Sequence, residues 1–145
     1  MKATLDTNII IHLYDAGLEE VIFSSFEKVY VYDFIIDIEL KKHGSEETIT
    51  KVNKDINDRR IIKISKKDML CIGMWDTFNR HVDENRIIYN PSDLGEVYAI
   101  ALAKTYGLTI LATDDTKQYG PHYMLINELD SDVIPLAFYE LFIFM

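Results

Sequence analysis

The chain has 145 residues, 48% of them hydrophobic, and a formal net charge of -9 at pH 7. This length predicts one domain, residues 1–145, whose core is large enough to fold without a disulfide or a structural metal. The acidic balance argues against nucleic-acid binding over the whole surface. The single cysteine, Cys71, excludes an internal disulfide, and its apolar helical context predicts a buried thiol in a reducing, cytoplasmic setting.

Strands and helices are predicted to alternate along the chain. Apolar or β-branched runs predict strands at 3–6, 28–32, 60–64, 108–112 and 122–126. Helical spacing predicts helices at 7–14, 34–43, 46–58, 66–81 and 93–107. Strands separated by helices imply crossover connections, and therefore a mainly parallel sheet that is covered on both sides.

Local signals refine these elements. Thr7 or Asn8 is predicted to cap the first helix, and Ser65 with Asp68 is predicted to form a capping box. In the second helix, Phe34, Ile38 and Lys41 fall on one side. The helix at 93–107 is apolar on every face between residues 97 and 103, and we expect it to be buried.

Two further stretches stand out by composition. Residues 41–67 hold nine Lys and Arg against four Asp and Glu, a local balance of +5, so the remainder carries -14. This basic segment is either a solvated helical face or a rim that contacts phosphates. The most apolar stretch, residues 133–145, is too short to span a bilayer and contains Glu140. We expect it to pack in the core as a helix or strand, or else to cover a partner or a second copy of the chain. No secretory signal opens the sequence, and no membrane association is expected.

Acidic residues follow two of the predicted strands. Asp6 ends the first strand, and the Asp114–Asp115 pair comes shortly after the strand at 108–112. Because the carboxyl ends of parallel strands meet at one edge of a sheet, these acids are expected to be neighbours. Glu39 lies on the helix after the second strand. Glu96, which follows Gly95, is either a further acid of this site or the partner of Asp93 in a capping box.

Converging carboxylates imply a bound cation. Two of them 4 Å apart repel by about 4 kcal/mol at an effective dielectric of 20. Oxygen ligands favour Mg²⁺ or Mn²⁺, which can orient and activate a water for phosphodiester hydrolysis. Neither a Gly-rich phosphate loop, a nucleophile elbow nor a paired zinc motif is present. The histidines are scattered and each is predicted to be an ordinary surface or core residue: His12, His43, His81 and His122.

Three stretches resemble the PIN-domain family of metal-dependent ribonucleases: LDTNIII (5–11), VYDFIIDIELKK (31–42) and GEVYAIALAKTYGLTILATDD (95–115). Within that family the chain looks most like the small single-domain VapC toxins of toxin–antitoxin pairs. The resemblance implies a three-layer α/β/α sandwich around a central, mainly parallel sheet of roughly four to five strands. It also implies endonucleolytic cleavage of RNA by a water activated by Mg²⁺ or Mn²⁺, in the cytoplasm.

The resemblance assigns roles position by position. The implied catalytic residues are Asp6, Glu39, Glu96 and Asp115. The implied metal ligands are Asp6, Glu96 and Asp115, with Asp114 and Asp93 as further acids. The implied orienting residues are Thr7, Asn8 and Thr113, and the candidate RNA contacts are Lys41 and Lys42. The third acid departs from the family, which more often has an aspartate there, so Asp93 and Glu96 remain alternatives.

Partners and alternatives follow from the same resemblance. An antitoxin would lay an apolar helix on the enzyme and a basic side chain among the acids, and residues 7–14 or 138–145 would supply the apolar surface or a dimer contact. Alanine at Asp6 is expected to abolish cleavage and leave the fold intact or stabilised. The alternative is a PIN-like fold that serves as a non-catalytic binding or scaffold module. A small-molecule phosphatase ranks last, because Asp6 is followed by Thr7-Asn8 rather than by a second aspartate.

Overall fold

Five parallel strands form the centre of the fold. The computed structural model describes residues 1–88, 94–114 and 132–142. The strands are β1 (Lys2–Leu5), β2 (Lys28–Tyr32), β3 (Ile62–Ile64), β4 (Ile110–Ala112) and β5 (Ile134–Leu136). Their order across the sheet is β3-β2-β1-β4-β5, and every pairing is parallel. The predicted α/β class is therefore confirmed.

Helices connect these strands. They are α1 (Thr7–Asp15), α2 (Glu20–Ser25), α3 (Leu40–His43), α4 (Glu46–Asn57), α5 (Lys66–Cys71), α6 (Trp75–Ile88), α7 (Leu94–Tyr106) and α8 (Phe138–Leu141), with a π-helical turn at Ile35–Glu39 just before α3. Helix α1 contacts α4 and α8, whereas α6 packs on α7, and α7 lies against β1, β2 and β4. Right-handed crossovers place these two groups of helices on opposite faces of the sheet, which gives three layers.

The strand order reverses at β1. Strands β2 and β3 lie on one side of it, and β4 and β5 lie on the other. The backbone N–H of Asp6 donates to the carbonyl of Ala112 at 3.0 Å, so the ends of β1 and β4 meet. In open parallel sheets, ligands bind outside the carboxyl ends of the strands at such a switch point. The topology therefore brings Asp6 to the position where a site is favoured.

Helix α7 forms the centre of the core, as its apolar run predicts. Val97, Ile100 and Leu102 are fully buried, and they pack with strand residues such as Val31 and Leu111, which are also fully buried. A helix that is apolar on all sides gains stability only when other elements cover it. Because α7 contacts three strands and α6, its first turn is held firmly against the carboxyl edge of the sheet.

The single helix predicted at 66–81 is wrong, because the chain turns at Gly73. This glycine has φ of 72°, in the left-handed region that favours residues without a Cβ. Its N–H donates to the carbonyl of Leu70 at 3.2 Å, and the N–H of Met74 donates to that of Met69 at 2.8 Å. This pair of bonds ends α5, and α6 starts anew at Trp75.

The prediction that Cys71 is buried is also wrong. Cys71 is exposed, as are its neighbours Leu70 and Ile72, at 55% and 57%. Only Met69 of this helix is buried. The short α5 buries one apolar side chain and then turns, so the apolar residues of its last turn stay at the surface.

The predicted spacing of the helix at 34–43 is altered by the π-helical turn. The N–H of Leu40 donates to the carbonyl of Ile35, five residues back. This wider turn buries Ile35, Ile36 and Leu40 and leaves Ile38 at 49% exposure. Of the positions 34, 38 and 41 predicted to share one side, Phe34 and Ile38 line one cavity, and Lys41 is exposed as Ile38 is. Such turns are often found at functional sites, and this one ends at Glu39.

The predictions for the helix termini and for the end of the chain are confirmed only in part. The capping box of Ser65 and Asp68 is confirmed, whereas α1 is capped by Asp6 and not by Thr7 or Asn8. The apolar stretch that begins at Val133 contains both β5 and α8, and residues 143–145 lie outside the described part. The predicted strand at 122–126 and the capping role of Asp93 also lie outside the described residues. None of the helices described is both long and apolar enough to cross a membrane.

Candidate functional site

An open cavity of about 200 Å³ lies at the carboxyl edge of β1. It is lined by Asp6, Thr7, Asn8, Glu39, His43, Gly95 and Glu96. We call it the acid cavity, because its three carboxylates come from the end of β1, the π-helical turn and the first turn of α7. Three acids separated by up to ninety positions in the sequence are thus brought to one cavity by the sheet and the helix packed on it.

Asp6 is fixed in place by two hydrogen bonds. The backbone N–H of Ile9 donates to its Oδ1 at 3.0 Å, which caps α1, and the hydroxyl of Thr113 donates to its Oδ2. Asp6 is only 3% exposed and Thr113 is fully buried. A carboxylate offers about four acceptor positions, so these contacts set the orientation of the group. Thr113 thereby links the end of β4 to the acid at the end of β1.

Glu39 reaches the cavity from the π-helical turn, where His43 accompanies it. The Nε2 atom of His43 lies 3.6 Å from the Oε2 atom of Glu39, too far for a hydrogen bond but close enough for an ion pair. The imidazole is 58% exposed, whereas the carboxylate is 23% exposed. The prediction of His43 as an ordinary residue missed its place in the cavity lining. The signal was the spacing of four residues from Glu39, which puts both side chains on one helical face.

Gly95 makes room for Glu39. A Cβ atom at this position would lie 3.2 Å from the Oε1 atom of Glu39 and 3.4 Å from its Cγ. Such a contact is tighter than ordinary van der Waals packing, so the side chain of Glu39 would have to move. The glycine before Glu96 therefore has a physical reason: α7 approaches the π-helical turn so closely that an added side chain would displace Glu39 from its present position.

For a metal ion bound in the acid cavity, we expect Gly95→Ala to weaken binding by roughly 10- to 100-fold, the usual cost of disturbing a group that surrounds the metal ligands, because the added Cβ displaces Glu39. The fold should survive, because alanine favours helices and the displaced atoms belong to the end of a side chain. Titration with Mn²⁺, followed by the melting temperature, measures this effect. Ala99→Gly, elsewhere on α7, is a control for altered helix stability. An unchanged Mn²⁺ affinity in Gly95→Ala would contradict the supporting role.

Asp114 is placed outside the lining of the acid cavity. The backbone N–H of Phe138 donates to its Oδ1 at 2.9 Å, and its Oδ2 is hydrogen-bonded to Nδ1 of His12. These contacts join the end of β4 to α8 and α1. The structure thus accounts for Asp114 as a structural link and does not bring it to the other acids. It also gives His12 a partner that the scattered histidines in the sequence did not indicate.

The acid cavity offers carboxylate oxygens but not a ready-made ligand group among the described residues. Across residues 1–88, 94–114 and 132–142, no three His, Cys, Asp or Glu side chains form a group that could hold a metal ion. Asp93 and Asp115 lie outside these residues. The carboxylates that line the cavity nevertheless suit Mg²⁺ or Mn²⁺, since Mg²⁺ is commonly bound through one or two carboxylates together with waters. The cavity is also several times larger than the ~30 Å³ that one water occupies in the liquid.

Three of the nine basic residues in the segment at 41–67 form ion pairs within the described residues. Ion pairs join Lys51 to Glu47 at 3.3 Å, Lys63 to Asp37 at 2.7 Å and Arg60 to Glu20 at 2.5 Å. Lys41 and Lys42 are exposed, on the short helix that carries His43 to the acid cavity. Glu20 and Asp37, which lie outside the segment, balance two of its charges, and Lys41 and Lys42 are the basic residues that adjoin the cavity in sequence.

Comparisons with known proteins find similarity to solved structures. No family model matches the chain, and no curated protein matches it. Among solved structures, the chain is similar to a chain of the structure described as VapBC2 from Rickettsia felis bound to a DNA fragment from their promoter. The two chains are 14% identical over 94% of this chain and 98% of that one, with a TM-score of 0.48. A match at this level does not assign a family or an activity to the chain.

Proposed function

We propose that the protein is an endoribonuclease of the PIN type that depends on Mg²⁺ or Mn²⁺. The observation that carries this proposal is the acid cavity, in which Asp6, Glu39 and Glu96 come together at the switch point of a parallel sheet. These acids stand in the order and the local contexts in which the sequence resembles PIN-domain ribonucleases. Asp115, the fourth acid of that resemblance, is proposed to complete the set.

Each residue has a role in this proposal. Asp6, oriented by Ile9 and Thr113, and Glu96, at the start of α7, hold the ion together with Asp115. When bound, the ion lowers the pKa of a water and offsets charge on the phosphodiester. Glu39, kept in place by Gly95, orients that water for attack on phosphorus.

A toxin role within a toxin–antitoxin pair is part of the same proposal. The acid cavity would attract a basic side chain of an antitoxin, and RNA would be the substrate. Of the apolar residues of helix α1, Ile9, Ile10 and Leu13 are fully buried and Ile11 is half-buried, so Ile11 is the one that this helix offers to a partner. At the chain end, Phe142 is 37% exposed and stays available for a partner or a second copy of the chain.

The test is a thermal melt of the wild type and of Asp6→Asn, each in EDTA and in millimolar Mn²⁺. We expect Mn²⁺ to raise the melting temperature of the wild type, by an amount that grows with the ratio of metal to Kd, and to leave the variant unchanged. Cleavage of a mixed RNA pool under the same conditions tests the reaction. An equal response of both proteins to Mn²⁺ would refute the proposed metal site at Asp6. Metal binding without cleavage of RNA would refute the proposed ribonuclease activity.

One observation favours a second candidate, a non-catalytic binding or scaffold module. Asp6 already caps α1 and accepts from Thr113, so it has a structural role whether or not a metal binds. Under this alternative the wild type would not respond to Mn²⁺, and both Asp6→Asn and the wild type would bind the same partner. The metal-dependent melt therefore separates the two functions.

A further inference from the structure

A second cavity has a volume of about 230 Å³. It is lined by Tyr32, Asp33, Phe34, Asp37, Ile38 and Tyr98, and we call it the aromatic cavity. The π-helical turn supplies Ile38 to this cavity and Glu39 to the acid cavity. Helix α7 likewise supplies Tyr98 here and Glu96 there. Because β2 ends at Tyr32, both cavities lie at the carboxyl edge of the sheet.

The walls of this cavity are aromatic rings that are partly open to solvent. Phe34 and Tyr98 are half-buried and meet edge to face, with ring centroids 4.9 Å apart. The ring of Tyr32 lies 5.2 Å from that of Tyr98 and closes the inner side. Ile38 adds an apolar side chain that is 49% exposed. Rings of this kind are the surfaces on which proteins stack the bases of single-stranded RNA.

Two carboxylates line the cavity, those of Asp33 and Asp37. Asp33 is half-buried, and burial, followed by the nearby Asp37, raises its pKa. Asp37 is itself paired with Lys63 at 2.7 Å, and Lys63 acts in the opposite direction on Asp33. A carboxylate that has lost part of its water is stabilised by hydrogen-bond donors from a ligand.

The hydrogen-bond donors on the edge of each base determine which base suits a carboxylate. Guanine presents two adjacent donors on its Watson–Crick edge, N1–H and the N2 amino group, which match the two oxygens of a carboxylate. Adenine, cytosine and uracil each place an acceptor beside a single donor, and a carboxylate repels that acceptor. Guanine also carries the acceptor O6 next to N1–H, and the ammonium of Lys63 has three donors, of which Asp37 takes one.

We propose that the aromatic cavity binds a guanine base of single-stranded RNA, with Asp33 accepting from N1–H and the N2 amino group and Phe34 or Tyr98 stacked on the ring. The acid cavity, to which the π-helical turn and α7 also contribute residues, would then receive a phosphodiester of the same RNA strand. RNA as the substrate rests on the proposed function, whereas binding of the base is a property of this cavity alone. An enzyme with such a cavity would cleave RNA selectively at sites next to guanine.

The first test measures nucleotide binding without metal. The protein has a single tryptophan, Trp75, whose ring stacks on Phe78 at 5.7 Å, and Phe78 lies 6.2 Å from Tyr98. Its fluorescence is titrated in EDTA with GMP, AMP, CMP and UMP. We expect GMP to bind most tightly, and Asp33→Asn to weaken GMP binding by roughly 5- to 150-fold, the range for one bidentate pair of a side chain and a base.

Matched variants keep this test decisive. Asp83→Asn makes the same change on the exposed side of α6 and should leave GMP binding unchanged. If Asp33→Asn unfolds, Phe34→Leu, which keeps most of the side-chain volume and removes the stacking face, should weaken all four nucleotides. Equal binding of the four nucleotides by the wild type would overturn the inference. A stronger response to an arginine-rich peptide than to GMP would also overturn it, and would assign the cavity to a protein partner.

The second test separates this inference from the proposed function. Oligonucleotides that contain one guanine at different positions are incubated with the wild type and Mn²⁺, and cleavage is expected at a fixed distance from the guanine. Asp33→Asn should raise KM for these substrates and erase the positional preference. Asp6→Asn should lose cleavage and keep GMP binding. Cleavage at sites unrelated to guanine would refute guanine recognition and leave the proposed ribonuclease activity standing. GMP binding without any cleavage would refute the ribonuclease activity and leave guanine recognition standing.

Discussion

Asp6→Asn is expected to lower metal-dependent RNA cleavage by at least about 100-fold while shifting the melting temperature in EDTA by no more than about 3 °C. Asparagine caps helices as well as aspartate does, so its Oδ1 can still accept from Ile9. The hydroxyl of Thr113 can reverse its role and accept from the new amide. The change therefore removes the negative charge that a cation needs and keeps the contacts that the fold needs.

Asp6→Ala is the informative contrast. It removes the cap of α1 and leaves the fully buried hydroxyl of Thr113 without its carboxylate, so we expect a loss of about 2 kcal/mol or more in the free energy of unfolding. This replaces the expectation that alanine leaves the fold intact or more stable. Relief of repulsion among the acids is outweighed by the lost hydrogen bonds.

Urea unfolding in EDTA measures the stability of both variants, and cleavage in Mn²⁺ measures their activity. Asn8→Ala, which lies beside Asp6 in the lining and does not cap the helix, is a control for local disturbance of α1. Full cleavage by a folded Asp6→Asn protein would show that the carboxylate is not a metal ligand. A loss of stability as large as that of Asp6→Ala would show that the capping role needs the charge.

The sequence predicted strands β1 to β4, and with them the meeting of Asp6, Glu39 and Glu96 at one cavity, because these depend on strong, local patterns, whereas it left the segment of β5 open as helix or strand and expected Asp114 among the acids. Each strand is a short apolar run, and parallel strands leave their carboxyl ends at one edge, so Asp6 and the residues after β4 had to be near one another. The same rule also marks Asp33, which directly follows β2. The sequence analysis does not name Asp33 as a site residue, because its neighbours Tyr32 and Phe34 indicate only a strand and a helix.

Predictions failed where one or two hydrogen bonds decide the structure. Hydrogen bonds span five residues in a π-helical turn and four in an α-helix. An apolar pattern of ten residues does not distinguish the two, so the sequence did not predict the exposure of Ile38. The end of α5 at Gly73 was visible in the sequence as a glycine, yet the apolar residues on both sides favoured a continuous helix. Contacts between distant segments, such as His12 with Asp114, have no local signature at all.

Asp55→Ala is expected to cost about 2–4 kcal/mol of stability, and to lower the melting temperature by roughly 10 °C. Asp55, on α4, is only 6% exposed, and the hydroxyl of Tyr14 on α1 donates to its Oδ2 at 2.5 Å. Arg60 donates to its Oδ1 at 3.3 Å and also contacts Glu20 on α2. The carboxylate thus joins α4 to α1 directly, and Arg60, five residues further along the chain, extends the contact to α2.

The cost arises mainly from the hydroxyl that is left behind. Tyr14 is 2% exposed, and burial, followed by its hydrogen bond to Asp55, raises its pKa, so it remains a neutral donor that needs an acceptor. Arg60 is 34% exposed, so solvent replaces much of what it loses. Tyr14→Phe alone should cost about 1 kcal/mol, because the carboxylate keeps Arg60 as its partner.

The double variant Tyr14→Phe with Asp55→Ala provides the decisive comparison. Removing both partners of a buried hydrogen bond leaves no orphaned group, so we expect the double variant to be more stable than Asp55→Ala alone by about 1 kcal/mol. Urea unfolding of the four proteins gives the coupling energy directly. Additive losses would mean that the hydrogen bond is not what holds α1 on α4. Because Asp6 is both a residue of the acid cavity and the cap of α1, a loosened α1 in Asp55→Ala should also weaken Mn²⁺ binding.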